Sequence, residues 1–138
     1  MPIYNSTGHV TGEQCSSTYE GRHITLLGSD FLTIGTVATT GCVKGEVCVF
    51  GDIGVGIVFN TVAQALLATT YVAIDTLGIW WLGVVTNATM VPGDSVYVHD
   101  TTGVVSDSAA GGRLLGYVVE DVADGSGAAV VAPVKLIT

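Results

Sequence analysis

Gly93-Asp94-Ser95 and His99-Asp100 crowd a hydroxyl, an imidazole and two carboxylates into one short stretch. These are the residue types of a serine hydrolase, in which Ser95 would attack an ester while a His–Asp pair moves the proton. Such chemistry needs the hydroxyl and its base about 2.6–3.2 Å apart. On a continuous strand, positions 95 and 99 share a face but stand roughly 13 Å apart, at about 3.3 Å per residue. Nothing resembling an Asp-x-x-His follows His99. His99-Asp100 read instead as the start of a metal-dependent phosphate site would need several more His and Asp ligands, and the chain holds only His9 and His23 besides. The expectation is therefore no enzyme, with no catalytic residue, no metal and no cofactor.

Other apparent motifs resolve into turns. Asp52-Ile53-Gly54-Val55-Gly56 lacks the P-loop lysine and the glycine order of a dinucleotide fingerprint, and reads as a hairpin turn. Glu120-Asp121 with Asp124 lacks the spacing of a calcium loop and reads as solvated turn charge. Cys15, Cys42 and Cys48 are an odd count without the two-residue gap of zinc or redox pairs, so they read as reduced, half-buried thiols acting as small hydrophobes. Lys44-Gly45 predicts a turn between Cys42 and Cys48. Asn5-Ser6-Thr7 and Asn87-Ala88-Thr89 fit the glycosylation sequon, which means little without secretion.

Composition narrows the function classes. The 138 residues suit one domain with a self-sufficient core. Only 12% are charged while 49% are hydrophobic, so Thr, Ser, Gly and apolar side chains must cover much of the surface, as in a subunit partly buried by neighbours. Twelve acids against four bases give a formal charge of −8, which argues against nucleic acid because backbone phosphates demand Lys and Arg clusters. The stretch from Ile53 to Ile74 is uncharged and long enough to suggest a membrane span. Gly54, Gly56, Asn60, Gln64, Thr69 and Thr70 interrupt it, so it reads as strand, connector and strand in a soluble protein. Met1-Pro2-Ile3-Tyr4-Asn5 shows neither a basic nor an apolar signal region, which predicts synthesis in a cytoplasm.

The elements that must position these residues are strands. Residues 1–22 are small and polar around isolated Ile3, Tyr4, Val10 and Tyr19, and read as a flexible N-terminal arm. Alone they bury too little apolar surface to offset an ordering cost of roughly 1–2 kcal/mol per residue. Residues 23–138 read as a β-domain. Strands are predicted over Ile24–Leu27, Phe31–Ala38, Glu46–Phe50, Gly54–Phe59, Tyr71–Ile74 and Ile79–Val85. Further strands are predicted over Val96–His99, Val104–Val105, Leu114–Glu120 and Ala128–Leu136. Thr61–Ala68, with Asn60 as its cap, is the one place for a short helix. Pro133 predicts an edge strand or bulge near the C-terminus. The fold class is all-β: a small barrel or sandwich of short antiparallel strands with at most one short helix, plus the arm.

Trp80-Trp81 is the pair that points to function. Neighbours on a strand face opposite ways, so an inward indole requires an outward one, unless a bend or bulge buries both in one core. An outward tryptophan needs a cover, and Trp is a frequent hot spot at protein interfaces.

Several segments resemble the tailed-phage cement, or head-decoration, family. "VPGDSVYVHDTTGVVS" from Val91 is the closest match, with "KGEVCVFGDIGVGIV" from Lys44, "YVAIDTLGIWWL" from Tyr71 and "LLGYVVEDVADGSGAAVVAPVKL" from Leu114 in the family's order. The resemblance covers roughly residues 23–137, while the 60–70 connector is longer than usual and the arm has no clear counterpart. It implies a structural protein on the outer surface of the virion's expanded capsid, made in the host cytoplasm. It also implies a homotrimer that clamps adjacent major capsid proteins, with neither nucleic acid nor membrane as partner. Ile3, Tyr4, Val10, Tyr19, Trp80 and Trp81 are then the candidate capsid or subunit contacts. The alternative is a β-barrel recognition module binding a host glycan or protein.

Overall fold

The computed structural model describes residues 23–34 and 41–137. The arm over 1–22, including Cys15, and the predicted strand end over 35–38 lie outside the described residues. β1 (His23–Leu27), β2 (Phe31–Ile34), β4 (Val47–Phe50), β5 (Gly54–Val58) and β7 (Tyr71–Asp75) form one antiparallel sheet in the order β1-β7-β5-β4-β2. β3 (Gly41–Cys42) pairs with β6 (Val62–Ala63). β8 (Ile79–Val85), β9 (Ser95–His99), β10 (Val105–Ser106), β11 (Gly112–Val118) and β12 (Ala129–Leu136) close a barrel in the order β10-β8-β12-β11-β9.

Alternation along the strands builds two cores that share one sheet. Val47, Val49, Val55 and Ile57 on one face of β4 and β5 join the barrel interior of Leu82, Val84, Val96, Val98, Leu115 and Val134. The opposite face presents Cys48, Val58, Val72 and Ile74, which pack with Cys42, Val62 and Leu67. A period of two therefore sends successive residues into different cores. Gly56 has no side chain because the Ile74 methyl occupies the place of its Cβ. Residue Leu115 is an extra residue between the pairs Leu114↔Tyr97 and Gly116↔Val96, a bulge that increases the strand's curvature where the small barrel needs it.

Two local expectations are corrected. The short helix over Thr61–Ala68 reduces to a 3-10 turn at Gln64–Leu66, because Val62 and Ala63 extend to pair with β3. Asn60 caps nothing there; its Oδ1 accepts the Ala73 N–H at 2.7 Å. Pro133 lies not on an edge strand but in β12, between β8 and β11. It is tolerated because its nitrogen faces β11 just where that ladder ends, after Val118↔Val134, while its carbonyl still accepts the Val119 N–H at 3.1 Å. The 53–74 stretch forms strands and a short turn, and no helix among the described residues is long and apolar enough to cross a membrane.

Candidate interaction surface

The residues that suggested chemistry serve the turns. Val91-Pro92-Gly93-Asp94 closes with the Asp94 N–H on the Val91 carbonyl at 3.0 Å, and Gly93 takes φ 96°, the left-handed value this turn demands. The Asp94 carboxylate accepts the Val91 N–H at 2.9 Å. Ser95 and His99 begin and end β9. The Nδ1 of His99 accepts the N–H groups of Thr101 and Thr102 at 3.2 and 3.3 Å, so it holds the next turn rather than a nucleophile. Gly51, Asp52 and Ile53 form the predicted hairpin loop between β4 and β5, and Lys44-Gly45 the predicted turn after β3. Glu120, Asp121 and Asp124 are exposed in the β11–β12 loop, where the Asp124 carboxylate accepts the Ser126 N–H at 2.8 Å.

The cysteines are more deeply placed than their composition suggested. Cys42 and Cys48 are free and wholly buried, not half-buried. The Cys48 thiol donates to the Gly56 carbonyl at 3.4 Å. Burial pushes this thiol up to about 12, and burial likewise raises Cys42.

Arg113, which carried no weight in the sequence, joins the barrel to the sheet. Its Nε donates to the Asp100 carboxylate at 2.7 Å, and its Nη1 reaches the carbonyls of Phe50, Gly51 and Gly54 at 3.0–3.2 Å. The guanidinium hydrogen bond, opposed by slight desolvation, holds the Asp100 carboxyl below its ordinary range. Two shallow depressions of about 330 Å³ flank the barrel, one beside Leu82 and Val105, the other beside Met90, Asp94 and Tyr97.

The outward face of β8, β12 and β11 brings several apolar side chains together across strands. Trp80 is half-buried against the barrel core, and its indole N–H donates to the Leu77 carbonyl at 3.0 Å. Trp81, on the opposite side of the strand, is 68% exposed. Cross-strand partners share a face, so Trp81 stands with Pro133, Ile79 with Lys135, and Gly83 with Val131. Ile79 and Val131 are exposed at 59% and 69%. Tyr117, opposite Lys135 from β11, extends the face, with the Lys135 ammonium 5.8 Å from its ring centre. Lys135 is thus the sole charged residue among these cross-strand positions, in a chain of net charge −8.

A family model described as phage cement protein matches residues 28–135. The chain belongs to the phage cement protein family. No curated protein and no solved structure matches it. Membership places this cement protein among structural proteins of the phage capsid. Sequence reasoning on the cement protein singled out Trp80 and Trp81, with Ile3, Tyr4, Val10 and Tyr19 outside the described residues, and passed over Ile79, Val131, Tyr117 and Lys135, which share the Trp81 face. The available signal was alternation in the last apolar run, where Val131 and Lys135 fall on the side opposite Ala132, Val134 and Leu136.

Proposed function

We propose that this cement protein decorates the outer surface of the expanded phage head and stabilises contacts between major capsid proteins. It acts without catalysis, and the Trp81 face makes the main contact. The observation that carries this reading is an exposed apolar face centred on a tryptophan in a member of a capsid-protein family. Monomers rarely leave large apolar side chains side by side in water unless a partner covers them. A homotrimer spanning several capsid subunits would gain avidity, because each later contact forms at high effective concentration. Ile3, Tyr4, Val10 and Tyr19 in the arm add a further contact in this scheme, as an extended segment laid on a capsid strand edge. The acidic chain suits basic ground on the capsid exterior.

The test is co-sedimentation of the protein with expanded and unexpanded shells of its parent phage, counting copies bound per shell. Saturable binding to the expanded form, in multiples matching threefold sites, is the expected result. Trp81→Ser should weaken it by about 30-fold or more, the scale of a hot-spot residue, with the fold intact. Absence of binding to either shell would overturn the proposal in favour of a recognition module.

A further inference from the structure

We infer that two copies of the free protein pair edge to edge along β8, antiparallel about Trp81. The direction of the backbone groups is decisive. The Leu136 N–H donates to the Gly78 carbonyl at 3.0 Å, and the Thr86 N–H to the Ala128 carbonyl at 3.4 Å. With the register running from Ile79↔Lys135 to Val85↔Ala129, these bonds fix the phase of the β8–β12 ladder. Trp80, Leu82 and Val84 turn their N–H and C=O groups toward β12, while Ile79, Trp81, Gly83 and Val85 turn theirs to the other side. There Val85 meets β10: its carbonyl accepts the Asp107 N–H at 3.1 Å, and Ser106↔Val85 is the whole register between the two strands. Among the described residues no strand pairs with Ile79, Trp81 or Gly83 on that side. The barrel is joined at one end of β8 and leaves an open edge at the other.

Proteins that stay single guard such edges with charge, proline or a bulge, and Ile79–Val85 has none of these. Gly83 points the same way. Its φ is not left-handed and a Cβ there would meet only that of Ala129, at an ordinary 3.7 Å, so nothing within the chain requires glycine inside this strand. A second copy supplies the reason. Turned about a two-fold axis at Trp81, its strand places Trp81 opposite Trp81 and Ile79 opposite Gly83, so the isoleucine of each outer pair stands where the other copy has no side chain. Each pair is of the hydrogen-bonded kind, with both N–H groups donating across it. The depression of about 330 Å³ lined by Leu82, Gly83 and Val104 leaves room beside Gly83 for the incoming strand. Charge favours the same occupant. Two chains of net charge −8 meet where β8 is uncharged, and the two-fold carries the Lys135 end of each copy toward the Glu46 end of the other. This pairing belongs to the free protein and does not depend on capsid binding. A copy held on a shell through Trp81 would give it up, a consequence that does rest on the capsid reading.

Two measurements on the full chain test it. Sedimentation over a dilution series should show two copies in reversible equilibrium with one. Gly83→Pro removes an N–H that points to the open edge and no bond of the β12 ladder, and Ile79→Glu brings a carboxylate toward Glu46 of the second copy. Each should weaken association about tenfold or more while circular dichroism stays that of wild type. Ile79 is exposed, so Ile79→Glu keeps the test if Gly83→Pro fails to fold. A one-copy mass throughout, a three-copy mass, or association unaltered in Ile79→Glu overturns the inference. In hydrogen exchange, the amides of Ile79, Trp81 and Gly83 should gain protection as concentration rises, while those of Trp80, Leu82 and Val84 are protected by β12 at every concentration. Protection of the first three that persists on dilution overturns it too, because the cover would then lie within one chain. Failure of shell binding leaves both readouts untouched, so the two proposals fall separately.

Discussion

Replacing Arg113 with alanine should loosen the joint between barrel and sheet. The Arg113 side chain is 10% exposed and reaches four acceptors: the Asp100 carboxylate through Nε, and the carbonyls of Phe50, Gly51 and Gly54 through Nη1. Nη1 has two hydrogens for three carbonyls, so one bond is shared and the three count as two. Hydrogen bonds from a charged donor contribute about 1.5–3 kcal/mol each, or about 3–6 kcal/mol for the two. Gly51 is exposed and recovers its bond from water in the variant, which reduces the net loss to about 2–4 kcal/mol. At about 4 °C per kcal/mol for a chain of this size, the midpoint of thermal unfolding should fall by about 8–16 °C. Arg113→Lys keeps the charge without the planar fork and should fall between wild type and alanine.

The assay is urea unfolding followed by tryptophan fluorescence, with a thermal melt beside it. The acid side supplies a second check. The Arg113 bond depresses the folded Asp100 carboxyl, so its contribution is complete above the unfolded value of about 3.9 and disappears as pH falls through the lower folded value. Wild type loses this contribution in acid, and Arg113→Ala has none to lose. The stability gap between them should therefore narrow below about pH 4. A loss under about 1 kcal/mol at neutral pH, or a gap that widens in acid, would refute the assignment of Arg113 as the joint.

Two further substitutions and a labelling experiment probe the interior. A Cβ at Gly116 would run into the Lys135 carbonyl and stand 3.1 Å from the Leu136 Cα, both backbone atoms of the neighbouring strand, so Gly116→Ala should cost about 3 kcal/mol or more, measured by urea unfolding. Gly45→Ala meets no atom within 4 Å and carries only the strain of φ 94°, so it should cost about 1 kcal/mol in the same assay. Cys48, buried and raised to about 12, should resist alkylation at pH 8 until the protein unfolds, with the modified peptide identified by mass. Equal labelling of Cys48 in folded and unfolded protein would contradict its burial.

Much of the fold was legible because strands and turns are written locally. Val96-Tyr97-Val98 alternates, Pro92-Gly93 dictates its turn, and the Gly51–Ile53 loop lies between two apolar runs; each of these needs only its neighbours to define it. The errors occur where a distant partner overrides a local preference. Ala63 and Leu66 favour a helix in isolation, yet pairing with Gly41 and Cys42 extends Val62 and Ala63, as tertiary contacts routinely do. Pro133 argues for an edge in any single strand, but the barrel puts its nitrogen where β11 has already ended.

The sequence by itself determined the all-β class, the turns and the absence of basic clusters for nucleic acid, since composition and a two-residue period suffice for these. Only the tertiary structure decided that Trp80 and Trp81 point to opposite sides and which of them faces outward, that Ile79 and Val131 stand on the same face as Trp81, and that Arg113 reaches the β4–β5 loop. Those facts depend on strand register and barrel closure. A surface patch is a property of strands brought together across gaps of some fifty residues, and no local pattern encodes which of two faces the core will claim.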